Sequence, residues 1–186
     1  MLNILQSSII GLTLALAVGF SPMASAENTL TSQPEREWVG HTAPIYKLQD
    51  QYGKWHQSSQ YLGQWVVLYF YPKDNSPGCT QEANAFKALY PQFLKHHAVV
   101  LGVSLDDVQS HQKFSEKLKL PFPILADDKQ ILAKSFGIVR NFGILQVAKR
   151  ETFLIDPKGN VVYHYTSVNS QTHADQVLKD IQANQK

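Results

Sequence analysis

The sequence predicts an α/β domain with a mixed central sheet flanked by helices, and three observations carry that prediction. Residues 65–71 (WVVLYFY) and 98–103 (AVVLGV) are unbroken apolar runs of strand length, as expected of strands buried on both faces. The segments after each run place apolar residues at helical rather than alternating spacing. Near the C-terminal end two more apolar stretches flank Asp156-Pro157-Lys158-Gly159, with proline and glycine at the second and fourth positions of a turn.

The elements follow in order. Tyr46, Leu48 and Trp55 around Gly53 predict a small opening hairpin, and residues 65–71 the first central strand. A helix starts near Pro77, where proline is tolerated in the first turn, and Ala83, Phe86, Tyr90 and Phe93 mark its apolar stripe. Pro91 lies inside that stripe and predicts a kink or a break. Residues 98–103 form the second central strand. A helix over 108–118 takes Asp106 or Asp107 as its N-cap and ends before Pro121. A short strand at 122–125 and a short helix at 129–136, closed by Gly137, come next. Residues 152–155 and 161–165 make the hairpin, and 174–181 a closing helix. The order β-α-β-α-α-β-β-α meets the description of a thioredoxin-like fold.

Residues 1–26 contain no Lys, Arg, Asp or Glu. Their apolar stretch at 9–20 has the length of a signal-peptide core and is short for a membrane span. Pro22 breaks any helix, and Ala24-Ser25-Ala26 offers the small-x-small pattern that signal peptidases cut after, although the segment before the apolar stretch has no basic side chain. The expected organisation is a signal peptide over 1–26, a flexible polar leader over 27–38 and one domain over 39–186. The protein is then exported, to a periplasm or another extracytoplasmic compartment. With 17 basic and 15 acidic residues the net charge is +2, and no basic run argues for nucleic acid or a charged membrane surface.

Cys79 is the only cysteine, so no disulfide can form within the chain. It is an inert buried thiol, an intermolecular partner or a reactive group. A helix beginning at Pro77 would put it in the first turn, where unpaired backbone N–H groups and the helix dipole favour an anion. The competing reading is a small hydrophobe packed at a strand–helix junction.

Pro72-x-x-x-Ser76-x-x-Cys79 has the form of the peroxiredoxin active-site motif, and "VVLYFYPKDNSPGCTQEA" resembles the Q-type peroxiredoxins, also called the bacterioferritin comigratory protein type. "GHTAPIYKLQDQYGK", "GVSLDDVQSHQKFSEKLKLPFPILAD" and "RETFLIDPKGNVV" extend the resemblance from about Gly40 onward. It implies that Cys79 attacks a hydroperoxide and becomes a sulfenic acid. It further implies that Ser76 hydrogen-bonds the bound peroxide and that Pro72 shields the thiolate. Arg150 would lower the thiol pKa and stabilise the transition state, with Glu82 orienting it through a charge-assisted hydrogen bond. Arg140 competes for the arginine's role, but only Arg150 precedes TFLID. Ionisation alone gains at most ~30-fold, about 2 kcal/mol, so further acceleration must come from groups that bind the breaking O–O bond.

Many members of that type carry a resolving cysteine five residues past the first, where this chain has Asn84. Turnover therefore needs an outside thiol, whether a small molecule, a thioredoxin-like or glutaredoxin-like protein, or the Cys79 of a second copy. The expected partners are a hydroperoxide and that reductant, with no nucleic acid, and the chain is expected to be a monomer or weak dimer. No cofactor is expected. His96 and His97 are adjacent and would diverge on a helix, which argues against a metal site. Asp106-Asp107 and Asp127-Asp128 are read as helix starts. Tyr69, Phe70, Tyr71 and Phe86 are candidates for an apolar pocket beside the thiol, against a plain core role. Two other functions compete. One is a noncatalytic thioredoxin-like binding module with an inert cysteine. The other is a disulfide oxidoreductase, whose Cys-x-x-Cys would need a second cysteine where Ser76 stands.

Overall fold

The computed structural model describes residues 37–185. The expected signal peptide and most of the expected leader lie outside the described residues. The elements are β1 (Lys47–Asp50), β2 (Trp55–Gln57), β3 (Trp65–Phe70), α1 (Pro77–Lys95), β4 (Ala98–Ser104), α2 (Val108–Leu118), β5 (Ile124–Ala126), α3 (Ile131–Phe136), β6 (Val139–Phe142), β7 (Leu145–Ala148), β8 (Glu151–Ile155), β9 (Val161–Tyr165) and α4 (His173–Asn184). Seven strands form one sheet in the order β2-β1-β5-β4-β3-β8-β9, and β6 and β7 pair apart from it. β3 runs parallel to β4 and antiparallel to β8, so the sheet is mixed. This is the α/β architecture the sequence predicts.

All six residues of β3 are buried, because each face of the sheet is covered. Strand alternation sends Trp65, Val67 and Tyr69 into a core shared with Phe86 and Phe93 of α1, Phe114 of α2 and Val177 and Ile181 of α4. Val66, Leu68 and Phe70 point the other way, into a core with Leu132 and Phe136 of α3 and Phe153 of β8. Trp38, the last residue of the expected leader, is buried in that second core, and its indole N–H donates to the Phe136 carbonyl at 3.1 Å.

Several boundaries differ from expectation. Of the kink or break expected at Pro91, the break does not occur, and α1 runs from Pro77 to Lys95 as one helix. Pro91 sits on the exposed side of the helix, where the ladder hydrogen bond it cannot make is least costly. Asp107 caps α2 by accepting from Ser110 N at 2.7 Å. Asp127 acts at the start of α3 as expected, its carboxylate accepting from Leu132 N and Ala133 N. The short strand lies at 124–126 rather than 122–125. The β6–β7 hairpin has no counterpart in the predicted order. Its two-residue turn places Gly143, at φ +75°, where a positive φ is needed.

Candidate active site

The peptide between β3 and α1 carries the motif. Tyr71 still holds its ladder position, donating its N–H to the Val103 carbonyl at 3.0 Å. Ser76 is the N-cap residue, with extended backbone (φ −68°, ψ 148°), and its carbonyl accepts from Thr80 N at 2.9 Å. Pro77 follows at the first helical position, where its fixed φ suits the helix and its missing N–H goes unmissed. The Ser76 hydroxyl takes no part in capping.

Cys79, Ala83, Phe86 and Phe93 share one face of α1 at helical spacing, so the sulfur is drawn inward with the core residues. Cys79 is 1% exposed. Glu82, three residues on, lies one turn further along beside it and is fully buried.

Arg150 comes from a distant part of the chain. Because β8 runs antiparallel to β3 with Glu151 opposite Phe70, the residue just before β8 lands beside the peptide that leaves β3. Its Nη2 donates to Cys79 Sγ at 3.1 Å, and its Nη1 donates to Glu82 Oε2. One guanidinium therefore joins the sulfur to a buried carboxylate. Burial pushes the Glu82 carboxyl up to about 7, against the lowering pull of Arg150. Burial also works against the charge of Arg150, but Glu82 and Cys79 outweigh it and hold the guanidinium more firmly protonated than usual. Glu82 Oε1 has no hydrogen-bond partner among the described residues.

Cys79, Glu82 and Arg150 are thus brought into direct contact. Ser76 and Pro72 are placed on the adjoining β3–α1 connection, both half-buried. Arg140 is elsewhere, exposed on β6 with its guanidinium 5.9 Å from the Phe142 ring centre. Asn84 is exposed on α1. Tyr69, Phe70, Tyr71 and Phe86 are all core side chains, and Phe70 belongs to the opposite face of the sheet. Among the described residues no group of His, Cys, Asp or Glu side chains could hold a metal ion.

Gly78 and His173 escape sequence reasoning, and Tyr69, read there only as a pocket or core side chain, brings a buried hydroxyl to the site. A Cβ on Gly78 would stand 3.2 Å from Arg150 Nη2, so glycine there leaves room for the guanidinium. The buried Tyr69 hydroxyl has no hydrogen-bond partner among the described residues. Burial first, then the nearby Glu82 and Cys79, keeps that phenol protonated well past its ordinary range. His173 opens α4, with Nε2 2.8 Å from Thr152 Oγ1. Burial, aided by the charge of Arg150, pushes its pKa down to about 4, which leaves the ring neutral at pH 7. None of these contacts has a signature in local sequence.

Comparison with known proteins bears on the same residues. The AhpC/TSA family profile matches residues 39–164, which span the β3–α1 motif and Arg150. The chain belongs to the AhpC/TSA family of peroxiredoxins. Peroxiredoxin Bcp of Bacillus subtilis is 41% identical over 150 residues, covering 77% of this chain and 96% of the relative. The chloroplastic peroxiredoxin Q of Populus jackii is 36% identical over 182 residues, covering 96% and 83%. Among solved structures, a cysteine-to-serine mutant of Xylella fastidiosa PrxQ superposes with a TM-score of 0.76 at 36% identity, covering 80% of this chain and 97% of its own. BcpB of Mycobacterium tuberculosis gives 0.75 at 34% identity, covering 80% and 98%. Peroxiredoxins are peroxidases acting on hydroperoxides, and these relatives have the thioredoxin-like fold that the sequence predicts.

Proposed function

We propose that this peroxiredoxin works through a one-cysteine cycle at Cys79. The thiolate attacks the terminal oxygen of a hydroperoxide, an S–O bond forms as the O–O bond breaks, and sulfur is oxidised by two electrons. The departing alkoxide or hydroxide takes up a proton and leaves as alcohol or water. One external thiol then condenses with the sulfenic acid, releasing water and forming a mixed disulfide, and a second external thiol frees Cys79. The observation that carries this reading is the guanidinium of Arg150 held against Cys79 Sγ at 3.1 Å with Glu82 behind it. In this scheme Arg150 stabilises charge on the breaking O–O bond, Ser76 bonds the peroxide through the hydroxyl it does not use for capping, and Pro72 shields the sulfur. Organic hydroperoxides as well as hydrogen peroxide are proposed substrates, since a Xanthomonas campestris relative of 37% identity was studied for alkyl peroxide reduction.

The test is peroxide consumption by the purified protein with dithiothreitol, with Cys79→Ser as control. Turnover that depends on Cys79 is expected. Equal consumption by the variant would end this reading. With no second cysteine to capture it, the sulfenic acid waits exposed to further oxidation, so mass spectrometry after excess peroxide should find Cys79 carrying two added oxygens. Finding only a disulfide-linked dimer would refute a free waiting state. Export is proposed too, on the composition of residues 1–26, and N-terminal sequencing of the expressed protein should begin at Glu27.

A further inference from the structure

A second buried carboxylate, Asp74, lies in the middle of the β3–α1 connection, two residues ahead of Ser76. Its Oδ1 accepts from Tyr71 Oη at 2.8 Å, and its Oδ2 accepts from Ser110 Oγ at 2.8 Å and His111 Nδ1 at 2.9 Å. The other nitrogen of His111, Nε2, faces the Leu125 carbonyl at 3.1 Å. Burial raises the Asp74 carboxyl, but the donations from His111, Ser110 and Tyr71 outweigh it and hold the group below the usual carboxylate range. The two ring nitrogens of His111 thus face two oxygens, one of the Asp74 carboxylate and one of the Leu125 carbonyl. The backbone follows the same plan. Asp74 N donates to Asp106 Oδ2 at 2.9 Å, and Lys73 Nζ donates to Asp106 Oδ1. Asn75 takes a left-handed φ of +60°, which asparagine tolerates better than most residues, and Lys117 Nζ reaches its side chain at 3.3 Å.

Three residues of α2 (Ser110, His111 and Lys117) and Asp106 of the β4–α2 turn thus converge on a single turn of chain, and the Leu125 carbonyl of β5 meets His111 from behind. Buried polar pairs of this kind are a poor device for stability, because apolar side chains of similar volume commonly do as well or better. What such a pair does supply is a fixed geometry. We propose that Asp74 and His111 are positioning residues for peroxide reduction: they hold the β3–α1 connection so that Ser76 and the first turn of α1 stand correctly against Cys79 and Arg150. The inference deepens the one-cysteine reading and rests on it.

Two substitutions at one position separate the contacts. In His111→Asn the amide nitrogen falls near the place of Nδ1 and keeps a donor toward Asp74 while giving up Leu125. In His111→Gln it falls near the place of Nε2 and does the reverse. With the reduced full-length protein and hydrogen peroxide in a stopped-flow instrument, His111→Gln should react about 10- to 100-fold more slowly, the scale of small misplacements in active sites, and His111→Asn within about threefold of wild type. Alkylation of Cys79 by iodoacetamide should change by no more than about twofold in either, since the proposal concerns placement of the peroxide and not access to the sulfur. Ser110→Ala, which removes one donor to Asp74 and leaves the ring in place, should slow the peroxide step by about 3- to 10-fold and serves if the histidine variants do not fold. Equal peroxide rates in the two histidine variants, an unchanged Ser110→Ala, or alkylation that falls in step with peroxide reduction would overturn the assignment. A wild-type protein inert toward peroxide would sink the peroxidase reading, and this inference with it.

Discussion

Replacing Arg150 by alanine removes the Nη2 donor 3.1 Å from the sulfur and the Nη1 donor to Glu82 in one step. A donor aimed at charge that develops in a transition state is typically worth about 10²–10³ in rate, roughly 2.7–4 kcal/mol. The step from an ordinary cysteine to a fully ionised one is worth at most ~30-fold. A normalised deficit of roughly 3- to 30-fold should therefore survive division by the thiolate fraction. The substitution has a side effect, because it leaves the Glu82 carboxylate buried with neither oxygen partnered. Such an orphaned charge costs about 3–5 kcal/mol unless the group takes up a proton. Arg150→Ala combined with Glu82→Gln removes the stranded charge and isolates the arginine's part. The assay is single-turnover peroxide reduction by stopped flow, with the thiolate fraction taken from the pH dependence of iodoacetamide alkylation. If normalised rates in both backgrounds equal wild type, the arginine acts on the thiol alone and the reasoning is wrong.

Glu82 supplies a pH prediction. Its folded pKa of about 7 is raised by burial above the usual value of 4.5, so between those values the folded chain binds more protons than the unfolded one, and stability should fall as pH rises across that window. Urea titrations should show this slope and Glu82→Gln should flatten it. The peroxide rate, normalised for thiolate, should fall as pH drops through about 7, because a neutral Glu82 holds Arg150 less firmly, and Glu82→Gln should lose that limb. Gly78→Ala should raise helix stability slightly, by about 0.5–1 kcal/mol, while its new Cβ crowds Arg150 Nη2 and slows peroxide reduction; an unchanged rate would show that the guanidinium can shift freely. Gly102→Ala places a Cβ 2.7 Å from Ile124 Cγ2 and 2.8 Å from the Tyr69 hydroxyl. It should lower unfolding free energy by about 1–3 kcal/mol, the usual scale of an overpacked core, measured by urea denaturation.

Local chemistry was readable from the sequence, and chemistry assembled across the fold was not. The unbroken run of β3, the proline at the first position of α1 and the Asp-Pro-Lys-Gly turn each act over a few neighbours, so their patterns survive in one dimension. Cys79 and Glu82 are likewise one helical turn apart. Arg150 could be singled out over Arg140 only by resemblance, since nothing local says which arginine a strand ladder will bring to residue 79. The link from Asp74 to His111 spans 37 positions, and each looks like an ordinary polar residue until α2 is docked. The β6–β7 hairpin was missed because Phe142, Ile144 and Leu145 are exposed and leave no core-facing alternation to read. At Pro91, read as a kink or a break, the helix does not break, since a proline on the solvent side of a long helix is tolerated.

The pairing of β8 with β3 sets where this chain can change in length. The ladder from Val66 with Ile155 to Phe70 with Glu151 is continuous, whereas the irregularity in the β8–β9 pairing falls at Leu154 and Ile155, away from Arg150. Extra residues grafted at the Gly143-Ile144 tip would only lengthen a projecting finger. One residue added or lost between Arg150 and the paired part of β8 would aim a different side chain at the sulfur, so the chain is fixed in length at that junction.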